Sequence, residues 1–164
     1  MNYPILKVKK LYLDAQLPVR ANPTDSGADV FVHHFERSFT RMGSDSISPV
    51  IKEYTLCHGD RILIATGLSV AVEPGYEVQV RPRSGNALKR GLTVVNTPGT
   101  IDANYRGPVG IIIINTGHEP DTIRVGEKIA QLVVCPVSLS EIVEVNDLDE
   151  TDRGAGGFGS TGSL

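Results

Sequence analysis

Residues 61–82 read Arg61-Ile-Leu-Ile-Ala-Thr-Gly-Leu-Ser-Val-Ala-Val-Glu-Pro-Gly-Tyr-Glu-Val-Gln-Val-Arg-Pro82. Three short runs rich in β-branched residues, at 61–65, 68–72 and 76–81, are separated by turn signals, of which Pro74-Gly75 is the clearest. No part of the chain keeps the i, i+3, i+4, i+7 apolar spacing of a helix for more than about two turns. This stretch therefore predicts antiparallel strands joined by hairpins.

The same alternation of apolar runs and turns continues over the rest of the chain. The predicted strands are Ile5–Leu11, Ala28–His33, Arg61–Ala65, Leu68–Val72, Tyr76–Arg81, Thr93–Asn96, Val109–Asn115, Thr122–Val125, Ile129–Val137 and Ile142–Val145. One short helix is predicted over Ser84–Arg90, with Ser84 as its N-terminal cap and Gly91 at its end. Strands at this spacing, without crossover helices, predict an all-β fold, either a jelly-roll-like double sheet or a distorted β-barrel.

The length of 164 residues is that of one ordinary domain. We expect a single β domain over residues 1–149. A polar segment at about 34–58 is predicted to be a loop insertion. The last residues, 150–164, contain many glycines and almost nothing apolar, which predicts a flexible C-terminal arm.

Composition excludes several classes of function. The 16 Lys and Arg against 19 Asp and Glu give a net charge of −3, and aromatic residues make up only 5% with no Trp, which argues against a nucleic-acid surface. The two cysteines, Cys57 and Cys135, form no disulfide framework, so a reducing, intracellular location is expected. The longest aliphatic run, Ile111 to Ile114, is too short to cross a membrane. We therefore expect a soluble, cytoplasmic protein with no membrane contact.

Patterns for protein-bound metals and for serine nucleophiles are weak. The sequence has no His-x-x-x-His or Cys-x-x-Cys pair, and the neighbours His33 and His34 are expected on opposite faces of one strand. The Gly-x-Ser-x-Gly pattern is also absent.

Two stretches are open to a functional or a structural interpretation. Asp102, close to a predicted Thr-Pro-Gly turn, suits a general base, but it also suits an Asx turn that stabilises the loop before Tyr105. The tail from Arg153 to Gly162 has the glycines, hydroxyls and cation of an anion-binding wrap, but its composition equally suits a disordered tail. The residues alone leave both choices open.

Five motifs in order resemble those of the trimeric dUTP pyrophosphatases, the dUTPase family. They are Thr24-Asp-Ser-Gly-Ala-Asp-Val30, Arg81-Pro-Arg-Ser-Gly-Asn-Ala-Leu-Lys89, Asn96-Thr-Pro-Gly-Thr-Ile-Asp-Ala-Asn-Tyr-Arg-Gly107, Gly126-Glu-Lys-Ile-Ala-Gln-Leu132 and the glycine-rich tail. The resemblance implies a jelly-roll-like subunit in a homotrimer with shared active sites. It implies hydrolysis of dUTP to dUMP and pyrophosphate, which keeps uracil out of DNA and supplies dUMP for thymidylate synthesis.

The resemblance also implies a role for each matching residue. Asp102 would activate the attacking water, and Gln131 would help to hold that water and the α-phosphate. The base and sugar would be bound by Asn96, Gly99, Thr100, Ile101, Tyr105, Gly110, Phe158 and Gly159, with Tyr105 under the deoxyribose and Phe158 over the uracil. The phosphates would be bound by Arg83, Ser84, Gly85, Arg153, Ser160 and Thr161, with Arg153 on the γ-phosphate.

The implied cofactor is Mg²⁺, held by the substrate phosphates and by water, with Asp29 acting only through water. The chain has Asn86, Asn104 and Lys128 where many members have Leu, Asp and Arg. Two alternatives remain: a homologous dCTP deaminase, and a nucleotide-sensing regulator that uses the same pocket and binds a protein partner through the segment 34–58.

Overall fold

The computed structural model describes residues 3–40 and 43–157, and it is built from antiparallel strands with one short helix. The strands are β1 Lys7–Lys10, β2 Ala28–Phe31, β3 His34–Thr40, β4 Gly43–Ser46, β5 Glu53–Leu56, β6 Arg61–Ala71, β7 Tyr76–Pro82, β8 Leu92–Val94, β9 Gly99–Ile101, β10 Pro108–Asn115, β11 Asp121–Arg124 and β12 Lys128–Pro136. The helix is α1, Ser84–Arg90. Within the described residues no helix has the length and apolar character that crossing a membrane requires.

The strands form three sheets. The largest has the order β4-β3-β6-β10-β8, and β1 pairs with the second half of β6. A four-stranded sheet has the order β2-β12-β7-β9, and β5 pairs with β11. The sheets do not close into a barrel. The all-β, jelly-roll-like prediction is confirmed.

One hydrophobic core lies between the sheets. It draws Ile64 from the large sheet, Val80 from the four-stranded sheet and Ile123 from the small one. The alternating burial along β10 shows the physical reason, because a half-buried strand turns every second side chain inward. The aliphatic core that the low aromatic content requires is therefore shared by all three sheets.

Three predictions of local structure are wrong. The runs 61–65 and 68–72 form the single strand β6, which continues through Gly67 at a φ of +71°. The segment 34–58 is not a loop insertion, since its described residues contain β3, β4 and β5, and β3 pairs with β6. The predicted strand Ile142–Val145 has no strand pairing in this chain.

Candidate active site

A polar cavity of about 390 Å³ lies where β2, β12 and the junction between β7 and α1 come together. Its lining comes from the first, second and fourth sequence motifs. The residues predicted from the sequence that line it are Asp29, Arg83, Ser84, Gly85 and Gln131. The fold therefore gathers five predicted site residues that are spread over a hundred positions of sequence. We call them the phosphate cluster.

Strand register explains why two members of this cluster meet. Asp29 on β2 is paired with Gln131 on β12, and Gln131 is paired with Arg81 on β7. Residues directly opposite each other on neighbouring strands point to the same face of the sheet. Asp29 and Gln131 therefore reach the same cavity from adjacent strands.

The carboxylate of Asp29 forms ion pairs with two cationic side chains. Its Oδ1 accepts a hydrogen bond from Arg83 Nε at 2.8 Å, and its Oδ2 lies 3.0 Å from Lys128 Nζ. The side chain of Asp29 is only 16% exposed, whereas those of Arg83 and Lys128 are 32% and 38% exposed. Asp29 thus orders two cations beside the cavity, which Asp25 also lines, and ordered cationic donors suit a polyanionic ligand.

Gln131 is fixed by its neighbours. Its Nε2 donates to the carbonyl oxygen of Pro82 at 2.9 Å, which links β12 to the end of β7. Gly27 packs against the same side chain, and a Cβ at position 27 would lie 1.9 Å from Gln131 Oε1. The site therefore needs glycine at position 27 because the glutamine amide occupies the space of a side chain.

The helix α1 begins directly after Arg83 and ends at Gly91. The predicted bounds of α1 and the end at Gly91 are confirmed, since Gly91 has a left-handed φ of +69°. Ser84 is not the cap, because the N-cap position is Arg83, with extended backbone and no side-chain cap hydrogen bond. At the other end, Arg90 donates to Asp121 and Glu127, and these bonds raise the pKa of Arg90 above its ordinary value. The ion pairs anchor α1 to the neighbouring strand.

The third motif forms a hairpin mouth between β8 and β10. Asn96 and Thr100 are exposed there, Gly99 is buried, and the Thr97–Pro98 peptide bond is cis. A Cβ on Gly99 would lie 3.2 Å from Asn96 Nδ2, so the backbone and the amide are in close contact. Ile101 is half-buried, while Gly110 on β10 is exposed beside a shift in register against β6. The mouth thus presents backbone groups and one amide to solvent.

Tyr105 lies flat at this mouth. Its hydroxyl donates to the carbonyl oxygen of Pro108 at 2.9 Å. A Cβ on Gly107 would lie 2.3 Å from the Tyr105 hydroxyl oxygen, so the ring occupies the space above that glycine. The ring is therefore held in one orientation with part of its surface exposed.

Asp102 has an exposed carboxylate. Among the described residues no group forms a hydrogen bond or an ion pair with that carboxylate, and the turn before Tyr105 is closed by the backbone carbonyl of Asp102 instead. The interpretation of Asp102 as an Asx-turn residue is therefore wrong. Asp102 borders a second cavity, of about 560 Å³, together with Tyr76 and Leu139.

Asp102 and the phosphate cluster are far apart in one chain. Asp102 follows β9, in which Ile101 is paired with Val78, so it lies level with Glu77 on β7. Arg83 lies at the opposite end of that strand, and the six steps from 77 to 83 span roughly 20 Å at about 3.3 Å per residue. A water molecule activated by Asp102 cannot reach a phosphate held by Arg83 of the same chain.

Residues of the tail fall partly outside the described structure. Arg153 is exposed, and its Nε donates to the carbonyl oxygen of Gly156 at 2.9 Å. The predicted site residues Phe158, Gly159, Ser160 and Thr161 lie outside the described residues. Among the residues that are described, Arg153 makes no contact with the phosphate cluster.

The expectation that His33 and His34 point apart is wrong. His33 follows β2 and His34 begins β3, so the chain turns between them and strand alternation does not apply. Their Nδ1 atoms lie 2.7 Å apart, and His33 Nε2 lies 3.0 Å from Asp14 Oδ1. Burial and the neighbouring His33 lower the pKa of His34, while Glu36 opposes this effect. This group lies outside the phosphate cluster.

Two residues beside that cluster are not among those predicted from the sequence. Lys128 is the second cation on Asp29, and Asn86 is buried with its amide bonded to β12. Both had been noted only as departures from the family pattern. No group of three or more His, Cys, Asp or Glu side chains in the described part of the chain is arranged to hold a metal ion.

Comparisons with known proteins identify the family. The family model dUTPase matches residues 49–162. The deoxyuridine 5'-triphosphate nucleotidohydrolase of Nautilia profundicola is 46% identical over 157 residues, which cover 96% of this chain and 98% of the relative. The corresponding protein of Wolinella succinogenes is 60% identical over 102 residues, covering 62% of this chain and 68% of the relative.

Solved dUTPase structures are also similar to this chain in fold. A mutant dUTPase of Staphylococcus bacteriophage 80alpha with dUpNHpp superposes with a TM-score of 0.77 at 27% identity, over 97% of this chain and 99% of that chain. A mutant dUTPase of phage phi11 of S. aureus, described for its coordination of a structural Mg(II) ion, gives 0.68 at 26% identity, over 87% and 97% of the two chains.

Fold and sequence together define a jelly-roll-like nucleotidohydrolase. Within that class the chain belongs to the dUTPase family. It is a dUTP diphosphatase, which hydrolyses dUTP to dUMP and pyrophosphate.

Proposed function

We propose that the hydrolysis proceeds by attack of water on the α-phosphorus of dUTP, with Asp102 as the general base. The observation that carries this proposal is the exposed carboxylate of Asp102, which has no hydrogen-bond or ion-pair partner among the described residues. A carboxylate without a competing partner is free to take a proton from water, and a positioned general base contributes about 10²–10⁴ in rate.

The phosphate cluster binds the triphosphate. Arg83, Ser84 and Gly85 contact its phosphates, and Gln131 orients the α-phosphate and the attacking water. The tether from Gln131 to Pro82 supports this role, because a positioning group must not rotate freely. Fixed donors aimed at the transferring phosphorus stabilise the charge that develops there.

The residues of this site would hold Mg²⁺ together with the substrate phosphates. The residues fit a cation held through water, since both carboxylate oxygens of Asp29 already face Arg83 and Lys128 and neither is open as a direct ligand. Asp29 would hold the ion's water molecules, and the bound ion would neutralise phosphate charge. The chain's own contribution is to keep Asp29 and the two cations at fixed positions.

The hairpin mouth binds the nucleoside. Backbone groups of Gly99, Thr100, Ile101 and Gly110, with the amide of Asn96, recognise the edge of uracil. Rigid groups suit this task, because an incorrectly paired buried polar group costs about 1–3 kcal/mol. Tyr105 packs under the deoxyribose and excludes a 2′-hydroxyl, and its fixed ring supports that assignment.

The enzyme acts as a homotrimer with shared sites. The separation of roughly 20 Å between Asp102 and Arg83 supports this, because each active site then takes these residues from different chains. Exposed apolar side chains after β12 also support it, with Ile142 97% exposed. These apolar residues are Leu139, Ile142, Val143, Val145 and Leu148.

Residues 150–164 form an arm that closes over the bound nucleotide. In this proposal Arg153 binds the γ-phosphate, Phe158 covers the uracil, and Gly159, Ser160 and Thr161 complete the closure. The closed arm would exclude water and strengthen the electrostatic contacts around the phosphorus.

Two further parts of the proposal concern cellular context. The enzyme keeps uracil out of DNA and supplies dUMP, and its free Cys57 and Cys135 suit a reducing, intracellular compartment. A protein-partner role for residues 34–58 would fall to the exposed strand β4, because β3 belongs to the largest sheet and Phe35 is fully buried.

The test is a substrate panel. Pyrophosphate release is measured with dUTP, dTTP, dCTP and UTP, each with Mg²⁺ and again with a chelator. We expect release from dUTP alone and its loss on chelation. Ammonia release from dCTP would instead support the deaminase alternative.

A further inference from the structure

The strand that carries Lys128 and Gln131 contains a β-bulge. Lys128 is paired with Phe31 and Ala130 with Val30, so β12 uses one residue more than β2 over this step. Ile129 is the additional residue. Bulges re-aim neighbouring side chains and occur often beside active sites. The directions of Lys128 and Gln131, which flank the bulge, depend on its geometry.

The bulge lies beyond the end of its neighbouring strand. Pairing between β12 and β7 begins at Ala130, opposite Pro82, where β7 ends. Proline has no backbone N–H and cannot donate to the adjacent strand. The carbonyl groups of Lys128 and Ile129 therefore need donors from another source.

Arg83 Nη1 approaches the Lys128 carbonyl oxygen at 3.5 Å, and Asn86 supplies donors to both carbonyls. Its Nδ2 lies 3.2 Å from the carbonyl oxygen of Lys128 and 3.4 Å from that of Ile129. A side-chain amide has two N–H groups, so one Asn86 serves both carbonyls. The residue is only 8% exposed, and a buried amide with defined partners has little freedom to move.

Asn86 thus joins two parts of the phosphate cluster. It lies in the first turn of α1, directly after Arg83, Ser84 and Gly85. Its amide donates a hydrogen bond to the bulge that precedes Gln131. Leucine would fill similar space but has no N–H to donate.

We propose that Asn86 is a positioning residue that sets the spacing between the turn carrying Arg83 and the bulge carrying Lys128. This inference rests on the proposed function of the phosphate cluster. Losing the amide leaves the Ile129 carbonyl without this donor and the Lys128 carbonyl with only the longer contact from Arg83, so the bulge relaxes and Lys128 shifts relative to Arg83. The nucleoside mouth, formed by a different part of the chain, is unaffected.

The experiment compares two ligands on the full-length enzyme. Asn86→Leu keeps the volume and removes the donors, Asn86→Ala removes the amide without adding a charge beside the phosphates, and Lys89→Gln on the exposed side of α1 is the matched control. Affinity is measured for a non-hydrolysable imido analogue of dUTP and for deoxyuridine, together with kcat and KM. We expect both Asn86 variants to bind the analogue about tenfold more weakly, as loss of hydrogen bonds predicts, with deoxyuridine binding unchanged.

Equal weakening of both ligands, or unchanged binding of the analogue, would overturn the proposal. Failure of both Asn86 variants to fold would also overturn it, because the residue would then serve the sheet as a whole. Arg83→Ala distinguishes a failure of the Asn86 proposal from a failure of the proposed phosphate cluster. If Arg83→Ala leaves analogue binding unchanged, the phosphate cluster itself is wrong. If it weakens binding while the Asn86 variants do not, only the role of Asn86 is wrong.

Discussion

Arg83 Nε lies 2.8 Å from Asp29 Oδ1, although 54 positions of sequence separate the two residues. Lys128 approaches the other carboxylate oxygen at 3.0 Å. The pairing of β12 with both β2 and β7 brings the three residues together, and the half-buried carboxylate keeps two mutually repelling cations side by side. The cations are therefore in place before any phosphate arrives, which reduces the ordering cost of binding.

Replacement of Asp29 tests this arrangement. Asp29→Asn removes the charge that holds both cations, so we expect kcat/KM for dUTP to fall about 10- to 100-fold, the range expected when a positioned group shifts by about 1 Å. The measurement is steady-state pyrophosphate release over a series of Mg²⁺ concentrations. Asp45→Asn on the exposed strand β4 is the control and should match the wild type. Wild-type kinetics in Asp29→Asn would contradict the positioning role.

Asp102 is tested by removing its basicity. Asp102→Asn keeps the shape of the side chain but cannot accept a proton, so kcat should fall by about 10²–10⁴ while dUTP binding persists. Calorimetric titration with dUTP and single-turnover pyrophosphate release measure the two quantities separately. Asn104→Asp, which adds a carboxylate two residues away, should leave kcat near that of the wild type. Undiminished turnover in Asp102→Asn would exclude Asp102 as the base.

Some of the fold was predictable because it depends on local pattern. Alternation identified β7, β10 and β12, and the Gly91 signal identified the end of α1. The division of β6 into two strands failed because Gly67 takes a positive φ without ending the strand. The segment 34–58 failed because its polar residues belong to strands whose apolar partners lie elsewhere in the chain. Both errors concern tertiary pairing, which a local pattern does not contain.

The candidate site was likewise only partly predictable from the sequence. Motif residues such as Arg83 and Gln131 were found because their local sequence is distinctive, and the fold brings them into one cavity. Asn86 was missed as a site residue because its role depends on a bulge in β12, and bulges leave no clear mark in the sequence. The separation of Asp102 from Arg83 was equally invisible, since it follows from the pairing of β9 with the far end of β7.

The paired histidines predict a pH dependence of stability. The pKa of His34 is lowered from 6.5, first by burial and then by His33. The unfolded chain therefore binds the proton first as the pH falls, so the free energy of unfolding should decrease below about pH 6.5. Urea unfolding between about pH 5 and 8 measures this slope. The charged groups around the pair are Asp14, Glu36 and Lys52. The hydrogen bond to His33 lowers the pKa of Asp14 from 3.8, so Asp14 changes the free energy of unfolding with pH only below 3.8.

Two variants separate His34 from the other histidines. His34→Gln cannot be protonated, so its stability should change less with pH over this window than that of the wild type. His118→Gln, at an exposed position, should keep the full slope. An unchanged slope in His34→Gln would show that the histidine pair does not cause the acid sensitivity.

Removal of residues 151–164 tests the closing arm. Residues 151–157 have no strand pairing, and almost all are exposed, so we expect the truncated chain to keep the melting temperature of the full chain. Turnover of dUTP should fall by about 10²-fold or more, because the loss of even one preorganised donor has an effect of this size. Arg153→Lys, which keeps the charge, should lose less activity than the truncation. Full activity of the truncated enzyme would remove the arm from the mechanism.

Mixing of inactive variants tests the shared active site. Asp102→Asn and Arg83→Ala are refolded together, and pyrophosphate release from dUTP is followed. If Asp102 and Arg83 of one site come from different chains, some sites of a mixed trimer contain both intact residues. Random assembly in a closed ring predicts activity in about one quarter of the sites. Neither variant assembled alone should show this activity.

A second mixture provides the control. Arg83→Ala and Gln131→Ala both damage the phosphate cluster, in which the two side chains line the same cavity of one chain. No chain in that mixture carries an intact cluster, so mixing should restore nothing. Recovery in the first mixture alone requires that Asp102 serve the phosphate cluster of a neighbouring chain. No recovery in either mixture, with trimers verified by sedimentation, would place both residues of a site in the same chain and contradict the separation of roughly 20 Å along β7.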